Sequence, residues 1–345
     1  MTVRALPLLP GPREEYILPL RWGDDSALGE LTRYLDELCS WITVTVVDGS
    51  PGELFDRHAR HFPPAVHHIP PAPGGVGNGK VVAVMTAVRR SAAERLIIAD
   101  DDVRYTRQVL AAVIAGLDET DVVRPQNYFN TWPWHAQWDT ARTLINRAFT
   151  SDYPGTFAVR RAALEATGGY DAVLFENLEL IRTVLAAGGH ERRAPELFVA
   201  RTPPTARHFL RQRIRHAYDD FAQPGRLVTE LALLPFLAGI LAQPRRRRMP
   251  ALLGAAIVAA ALAETGRGRN HGREVFPAGT ALFAPLWVVE RAICVWIALA
   301  LWFRGGVPYA GTRIKTAAHS VTALRLRHEG KICPVPSGLS DRKHP

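Results

Sequence analysis

The sequence contains few of the features that mark secreted, disulfide-bonded or nucleic-acid-binding proteins. Its three cysteines, Cys39, Cys294 and Cys333, are far apart in the 345-residue chain and match no metal-binding spacing. They predict no disulfide framework and fit a reducing compartment. The N-terminal region has prolines and acids where a signal peptide would have an apolar core. We therefore expect the first domain to stay in the cytosol.

The charge balance is basic and unevenly distributed. Lysine and arginine number 42 against 33 aspartates and glutamates, which gives a net charge of +9. Such an excess is typical of proteins that meet nucleic acid, anionic lipid or phosphorylated substrates. No zinc-finger or basic-zipper motif is present, and four arginines form a run at 245–248 between two apolar stretches. The pattern favours a membrane and predicts no nucleic-acid partner.

Short apolar runs alternate with helical patterns through much of the chain. Residues 24–26 can cap the first helix. Alternation of this kind predicts an α/β fold with a doubly wound, mostly parallel sheet. The expected strands are 15–22, 41–47, 66–69, 95–99, 121–124 and 155–159, and the expected helices are 27–38, 81–91, 107–117, 161–166 and 175–185.

The most informative stretch is the apolar run at 95–99, which ends in Asp100, Asp101 and Asp102. An open α/β sheet binds its ligands beyond the carboxyl ends of its strands. Adjacent carboxylates repel one another, and a hard divalent cation with oxygen ligands would remove that repulsion. Strand geometry gives Asp100 and Asp102 the same face, so we predict that these two meet a metal–diphosphate. A solvated acidic turn is the alternative.

Aromatic side chains are concentrated at 128–138, where Trp132, Trp134 and Trp138 lie close together in sequence. Such a cluster could stack on a sugar ring or lie at a bilayer surface. Each ring could equally belong to an ordinary hydrophobic core.

Beyond residue 225 the sequence becomes apolar, in stretches at 227–242, 251–263 and 280–303. Only the third is comfortably long enough to span a bilayer, and a helical soluble domain is the alternative. The positive-inside rule places the arginine run and the arginines after residue 303 in the cytosol. We therefore expect 227–242 to lie in the membrane interface and crossings at 249–265 and 280–303. This topology puts three arginines in an outer loop, Arg267, Arg269 and Arg273, which is its weakness.

These features divide the chain into four parts. We expect an N-terminal extension at 1–14, a catalytic domain at 15–225, membrane-associated helices at 226–305, and a basic C-terminal segment and disordered tail at 306–345. The tail from about residue 330 is rich in proline, serine and charge, a composition typical of disorder.

The order of these parts resembles the family 2 glycosyltransferases of the inverting GT-A fold, in particular the membrane-attached members that glycosylate lipids. The resemblance extends from about residue 16 to residue 218, with apolar helices in the expected place after it. Each motif is weak alone, and the resemblance depends on their order and spacing. The expected fold is a GT-A type, doubly wound and mostly parallel α/β sheet with C-terminal membrane helices.

The resemblance also implies roles for individual residues. The three acids after residue 99 are similar to the family's DxD motif, which makes Asp102, with Asp100, the ligands of Mg²⁺ or Mn²⁺. Residues 212–216 match the QxxRW motif with His216 in place of tryptophan. The implied nucleotide-sugar contacts are Asp48, Lys80, Asp100, Asp101, Gln212 and Arg215. The implied acceptor contacts are Gly155, Thr156 and His216, to which the aromatic cluster adds Trp134.

One departure from the family pattern concerns the catalytic base. The position that should hold an aspartate is Asn177, whose amide cannot accept the proton. Glu176 and Glu179 are three residues apart on the predicted helix and therefore share a face. Either could act as the base, which needs only reach and a suitable pKa, and we prefer Glu176 because it is adjacent to the expected site. Loss of transfer activity, which would leave a membrane scaffold, is the alternative.

The expected function is transfer of a hexose from a nucleotide-diphosphate sugar to a lipid hydroxyl or a polyprenyl phosphate. The protein would be a multi-pass protein of the plasma membrane with a cytosolic catalytic domain. The rival interpretation is a P-loop NTPase, because residues 74–80 fit GxxxxGK and residues 96–101 imitate a Walker B strand. Val81 stands where serine or threonine must bind Mg²⁺, and the two elements are close in sequence, which argues against this rival.

Overall fold

A computed structural model of the chain describes residues 13–74, 77–309 and 312–332. These residues form ten strands and thirteen α-helices. The strands are β1 Glu14–Leu20, β2 Thr43–Asp48, β3 Val66–Ile69, β4 Arg95–Ala99, β5 Val103–Arg104, β6 Val122–Phe129, β7 Thr156–Arg160, β8 Glu191–Arg201, β9 Val307–Tyr309 and β10 Thr312–Ile314. The helices are α1 Leu28–Cys39, α2 Gly52–His61, α3 Gly79–Arg90, α4 Arg107–Ala115, α5 Trp134–Phe149, α6 Arg161–Thr167, α7 Glu176–Ala186, α8 Ala206–Tyr218, α9 Pro224–Leu241, α10 Arg245–Gly268, α11 Gly272–Val275, α12 Ala284–Phe303 and α13 Val321–Ile332.

Eight strands form one sheet in the order β3-β2-β1-β4-β7-β6-β8-β5, and β9 pairs separately with β10. Strands β1, β2, β3, β4, β6 and β8 run in one direction, whereas β5 and β7 run in the other. The carboxyl ends of the six parallel strands therefore lie at the same edge of the sheet. The predicted fold class, a mostly parallel α/β sheet followed by apolar helices, is confirmed.

Helices cover both faces of the sheet, because successive side chains of a strand point to opposite sides. Tyr16 and Leu18 of β1 belong to a buried cluster with α1 and α4, whereas Ile17 belongs to a second cluster with α3 and α7. Strand β4 alternates in the same way, with Ile97 in the first cluster and Ile98 in the second. Burial on both faces explains why these strands are continuous apolar runs in the sequence.

Most of the predicted elements are confirmed within a few residues, and the exceptions have local causes. The strand predicted at 121–124 continues to Phe129, because it pairs with β8 along its whole length. The predicted cap of α1 is wrong, since Asp24 accepts hydrogen bonds from Ser26 and the N-cap residue Ala27 makes no side-chain cap. Helices α2 and α5 and strand β8 have no counterpart among the sequence predictions.

Three C-terminal helical segments are long and apolar enough to cross a membrane, judged by length and composition. They comprise α9, α10, and α12 with the 3₁₀ turn Ala278–Phe283 that precedes it. Residues after α12 return to the sheet domain, where the N–H groups of Leu174 and Phe175 donate to carbonyls of Thr316 and Ala317. Residues 330–332, the first of the predicted tail, belong to α13. The rest of that tail, and residues 1–12, lie outside the described residues.

The chain between α10 and α12, where the outer loop was predicted, contacts the sheet domain. Arg147 on α5 of the sheet domain donates to the carbonyls of Gly266 and Arg269, at 3.3 and 2.6 Å. A Cβ atom on Gly266 would lie 1.8 Å from the carbonyl oxygen of Leu144, so α10 and α5 touch backbone to backbone. The loop at 267–273 therefore lies against the sheet domain.

Candidate active site

A cleft of about 660 Å³ opens at the carboxyl ends of β1 and β4. Its walls come from the acids after β4, the first turns of α3 and α7, and one side of α8. Its floor is formed by the 3₁₀ turn Asp219–Ala222 together with parts of α5 and α12. The cleft thus extends from the sheet edge, where ligands of such folds bind, to the apolar helices.

Asp100 and Asp102 line this cleft, and a cation lies beside each of them. Asp100 Oδ1 is 2.5 Å from Lys80 Nζ. Asp102 accepts hydrogen bonds from Nε and Nη2 of Arg201, at 3.0 and 2.6 Å. The two carboxylate side chains are 26% and 25% exposed. The negative charge of each acid is therefore balanced by a cationic side chain at an open edge of the sheet. This arrangement differs from the solvated acidic turn that was the alternative.

Arg201, the last residue of β8, has no counterpart among the predicted site residues. Its Nη2 lies 2.6 Å from Asp102 Oδ2 and 3.9 Å from Asp100 Oδ2, so both oxygens converge on one positive charge. Burial raises the pKa of Asp102, and although Arg201 opposes this shift, the neighbouring Asp100 adds to it. A guanidinium thus occupies the place between the two carboxylates where the sequence predicted a divalent cation.

Gly155 allows the chain to approach these acids closely. A Cβ atom at this position would lie 2.5 Å from Asp100 Oδ2, and the Gly155 carbonyl accepts the Asp100 N–H at 2.9 Å. The side-chain oxygen of Asn127 in turn accepts the Gly155 N–H at 2.7 Å. Asp101 also lines the cleft and accepts a hydrogen bond from the indole N–H of Trp22, which follows β1. The backbone of Gly155 and the ring of Trp22 therefore fix the acids from two sides.

Lys80 joins the acids after β4 to the first turn of α7. Its Nζ lies 2.9 Å from Glu176 Oε1 and donates to Asn177 Oδ1 at 3.1 Å. Asn78, the N-cap of α3, donates to the other oxygen of Glu176 at 3.2 Å. Burial alone would lower the pKa of Lys80, but Asp100 and Glu176 raise it above its ordinary value. Lys80 therefore stays charged, and it holds Glu176 and Asn177 beside the cleft.

The P-loop interpretation gains no support from the structure. A P-loop requires serine or threonine after its lysine to bind Mg²⁺, and residue 81 is valine. Val81 is buried in α3, and no hydroxyl replaces it at that position.

Gln212, Arg215 and His216 of α8 all line the cleft. The Arg215 guanidinium lies 5.3 Å from the ring centroid of Tyr309. Arg213 donates to His216 Nδ1 at 3.0 Å. Burial and the charge of Arg213 lower the pKa of His216 well below its ordinary value, so this imidazole is neutral. A neutral ring at this position can stack on a sugar, as the sequence analysis expects of it.

The floor of the cleft contains ionisable groups that the sequence analysis does not assign to the site. Asp220 lies 2.9 Å from Arg226 and 2.6 Å from Arg291 of α12. Arg291 has no exposed surface, and its Nε and Nη2 have no hydrogen-bond partner among the described residues. Burial raises the pKa of Asp219 to about 7, although Arg215 opposes the shift. Buried N–H groups without partners require an explanation, and an anionic ligand would satisfy them.

Four residues predicted for the site do not line the cleft: Asp48, Thr156, Glu179 and Trp134. Thr156 is fully buried and donates to a backbone carbonyl of β4. Glu179 is also fully buried and accepts the backbone N–H of His319 at 2.7 Å. Trp134 is half exposed and packs against a phenylalanine of α8. Because Glu176 lines the cleft and Glu179 does not, Glu176 remains the candidate base on α7.

Asp48 ends β2, but its carboxylate belongs to a closed cluster. Its Oδ2 accepts hydrogen bonds from His58 Nδ1 at 2.6 Å and His68 Nε2 at 3.0 Å, and its Oδ1 accepts the Ser50 N–H at 2.8 Å. Burial alone would raise the pKa of Asp48, but the hydrogen bonds from these three residues lower it to about 2. The adjacent Gly49 does line the cleft. The residue after β2, Gly49, thus lines the cleft, whereas the Asp48 carboxylate is buried away from it.

Three places in the described residues could hold a metal ion. The first is Asp48 with His58 and His68, and the second is Asp171 with Glu179 and His319. Within each group the ligand atoms lie within 4.8 Å of one another. Asp100 and Asp102 form the third place, because their oxygens line the cleft and converge on one positive charge. Hard oxygen donors of this kind fit Mg²⁺ or Mn²⁺. An ion at this place would compete with Arg201 for Asp102.

The functional residues that the sequence analysis missed differ in the signal that they left. Arg291 stands with Glu290 as the only charges inside an apolar stretch, and such residues commonly mark functional sites. Arg201 is one of many arginines in the sequence. Only the pairing of β8 beside β6 brings it to the edge where β4 ends.

No protein-family model matches this chain, and no curated protein matches it. A solved mannosyltransferase from Pyrobaculum calidifontis, in complex with GDP-Man and Mn²⁺, is 16% identical over 85% of this chain and 91% of that chain, with a TM-score of 0.46. A glucosyl-3-phosphoglycerate synthase from Mycobacterium tuberculosis, in complex with Mn²⁺, UDP and glucosyl-3-phosphoglycerate, is 13% identical over 58% of this chain and 76% of that chain, with a TM-score of 0.40. The functional conclusion therefore rests on the geometry of the cleft.

Proposed function

We propose that this protein is an inverting family 2 glycosyltransferase that moves a hexose from a nucleotide-diphosphate sugar to a lipid acceptor at the cytosolic face of a membrane. The observation that carries the proposal is one cleft lined by Asp100, Asp102, Lys80, Glu176 and Arg215. It combines oxygen ligands for a divalent cation, fixed positive charge for a diphosphate and a carboxylate for the acceptor. In this proposal residues 15–225 form the catalytic unit and residues 226–305 hold it at the membrane.

The donor would bind with its diphosphate between the acids after β4 and the cations around them. Asp102 and Asp100 would hold Mg²⁺ or Mn²⁺, and the ion would neutralise the charge that develops on the departing diphosphate. Lys80 and Arg215 supply fixed positive charge that needs no reorganisation during the reaction. Arg201, displaced from Asp102, would be free to face the same diphosphate.

Glu176 is the proposed base for a hydroxyl acceptor. Its carboxylate is oriented by Lys80 and Asn78, so it points into the cleft without rearrangement. It would take the proton from the attacking hydroxyl, whose oxygen attacks the anomeric carbon from the face opposite the diphosphate. The sugar–diphosphate bond breaks as the new bond forms, which inverts the configuration of the anomeric carbon.

A lipid phosphate, such as a polyprenyl phosphate, is the acceptor class that the floor of the cleft favours. Arg291 lies at the end of the cleft nearest the apolar helices and has two buried N–H groups without partners among the described residues. A phosphate oxygen would satisfy them through charge-assisted hydrogen bonds. Because such an oxygen is already anionic, it needs no strong base. The amide at Asn177 is then compatible with activity.

A donor screen with purified protein tests this proposal. Thermal shifts with UDP, GDP and dTDP sugars, with and without Mn²⁺, should identify one nucleotide whose stabilising effect increases with the metal. Transfer to polyprenyl phosphate should then give a product whose anomeric configuration, measured by NMR, is inverted. A retained configuration would overturn the inverting mechanism. ATP hydrolysis would support the P-loop interpretation, and no turnover with any donor would support an inactive scaffold.

A further inference from the structure

Helices α9, α10 and α12 all carry large apolar side chains on the protein surface. Examples are Phe236 and Leu241 of α9, Met249 and Leu253 of α10, and Ile293 and Trp296 of α12, all more than 40% exposed. Soluble monomers rarely expose this much apolar surface on neighbouring elements, so a partner is expected to cover it. The contacts of the same helices show how that partner must be arranged.

Helix α12 lies along the sheet domain over its whole length. Near its first turn Trp287 is buried in a cluster with α5. In its middle, Arg291 donates to the carbonyl of His216 at 2.9 Å. At its end, the ring of Trp302 stacks on Phe221 at 6.2 Å. A helix that contacts one domain at both ends and in the middle does not leave that domain to cross a bilayer.

The second half of α10 is also fixed to the sheet domain, through Arg147 and Gly266 as described above. Phe276, in the connection to α12, packs on Phe198 of β8 at 5.8 Å. Only the first half of α10 and the second half of α9 extend away from the domain. They form a helical hairpin whose tip carries the arginines at 245–248.

The projecting part of this hairpin is too short to span a bilayer. On α9, the carbonyl of Leu231 accepts a hydrogen bond from the indole N–H of Trp296 on α12. On α10 the buried residues begin at Ala259. From these points to the tip there are about ten residues on α9 and about fourteen on α10, or roughly 15 and 21 Å, against about 30 Å for the hydrocarbon core. Arginines at such a tip would stop in the middle of the bilayer if the hairpin stood upright.

We propose that the chain attaches to an anionic lipid bilayer from one side only and does not cross it. Helices α9, α10 and α12 lie in the plane of one leaflet, with their exposed apolar faces among the acyl chains. The arginines at 245–248 lie in the phosphate layer of that leaflet, where cationic side chains are favoured. The net charge of +9 has the sign that an anionic surface attracts. This arrangement does not depend on the proposed transfer reaction, since attachment is measured without turnover.

Cysteine labelling tests the sidedness. In a chain whose native cysteines are replaced by serine, Glu274→Cys reports on the loop between α10 and α12, and Arg60→Cys reports on the sheet domain. Both native side chains are exposed. We expect a membrane-impermeant maleimide to label both positions in inside-out vesicles and neither in right-side-out vesicles. Labelling of position 274 from the side opposite to position 60 would overturn the proposal.

Flotation with vesicles tests the chemistry of the partner. We expect the full-length protein to bind phosphatidylcholine vesicles that contain phosphatidylglycerol more tightly than pure phosphatidylcholine. Replacement of all four arginines at 245–248 by glutamine should weaken binding to the anionic vesicles by at least roughly tenfold. The matched control replaces Arg89, Arg90, Arg192 and Arg193, which are exposed elsewhere, and should change binding much less. Equal effects of the two sets would contradict the assigned position of the tip.

The apolar faces have their own test. Leu253→Asp combined with Ile257→Asp should abolish flotation with both kinds of vesicle, because charged side chains are costly among acyl chains. Leu326→Asp, on the exposed side of α13, is the control and should leave flotation unchanged. Circular dichroism and thermal unfolding of each variant establish that the fold is retained. Undiminished flotation of a folded double variant would overturn the proposal.

Discussion

The tips of β2 and β4 have similar sequences but different surroundings in the folded protein. Each strand is buried, parallel to its neighbour, and followed at its carboxyl end by aspartate. The Asp48 side chain has no exposed surface, and its oxygens accept hydrogen bonds from two histidines and one backbone N–H. Asp100 and Asp102 remain about a quarter exposed and face the cleft beside two long cationic side chains, Lys80 and Arg201.

The difference shows that a strand end positions a carboxylate, whereas its neighbours decide what the carboxylate does. Asp48 is buried and its oxygens are taken up by hydrogen bonds, which favours a structural role. The cations beside Asp100 and Asp102 are long side chains at an open edge, and a ligand or metal ion can replace them. The predictions below separate a structural strand tip from a reactive one.

The largest effect should follow from Asp102→Asn. If Asp102 serves the metal and diphosphate, transfer should fall by roughly a thousandfold or more, because charge stabilisation of the leaving group is lost. Steady-state transfer assays measure this fall, and unfolding curves should show a retained fold. Asp118→Asn, on an exposed carboxylate paired with Arg95 near the other end of β4, is the control and should stay near the wild-type rate. Undiminished turnover by Asp102→Asn would refute the assignment of Asp102.

The next effect distinguishes two carboxylates across the cleft, Glu176 and Asp219. Glu176→Gln should lower transfer to a hydroxyl acceptor by about a hundredfold, the usual contribution of a general base. Burial raises the pKa of Asp219 to about 7, so an Asp219 base would make the rate rise as the pH increases through 7. We expect Asp219→Asn to leave the pH profile unchanged. Loss of a rising limb near pH 7 in this variant would transfer the role of base to Asp219.

Substitution of Asp48, at the end of β2, should lower the stability of the protein. The pKa of Asp48 is lowered to about 2 in the folded protein, whereas an unfolded aspartate titrates near about 3.9. The carboxylate therefore contributes about 2 kcal/mol above pH 4, and this contribution is lost as the pH falls through 2. Asp48→Asn should lower the free energy of unfolding by a similar amount at neutral pH, measured by urea denaturation. The exposed Asp56→Asn is the control. An unchanged stability would show that Asp48 is not the structural residue described here.

The smallest effect concerns the guanidinium between Asp100 and Asp102. Arg201→Gln removes a positive charge from both carboxylates, so Mn²⁺ should bind the protein without donor roughly tenfold more tightly. Titration of Mn²⁺ followed by electron paramagnetic resonance measures this directly. Arg95→Gln, at the opposite end of β4, should not change Mn²⁺ affinity. Weaker Mn²⁺ binding by Arg201→Gln would show that Arg201 supports the ion site instead of competing with it.

Membrane attachment shows what local sequence patterns do not determine. The apolar stretches identify α9, α10 and α12, and their composition alone permits crossings. The contact between Gly266 and α5 underlies the proposed attachment from one side, and nothing in the local sequence marks this glycine as a contact point. A long-range contact of this kind depends on the positions of both helices in the assembled fold.

The sequence by itself determined where β1, β2, β3, β4, β6 and β7 lie along the chain, because apolar periodicity and turn residues act locally. It also determined that three acids follow a buried strand and that Lys80 lies at the start of a helix. Only the tertiary structure decided which carboxylates remain open, that Arg201 and Arg291 join the cleft, and that the loop after α10 lies on the sheet domain. The physical reason is that burial, ion pairing and helix packing join residues between 71 and 119 positions apart, and no local pattern encodes such contacts.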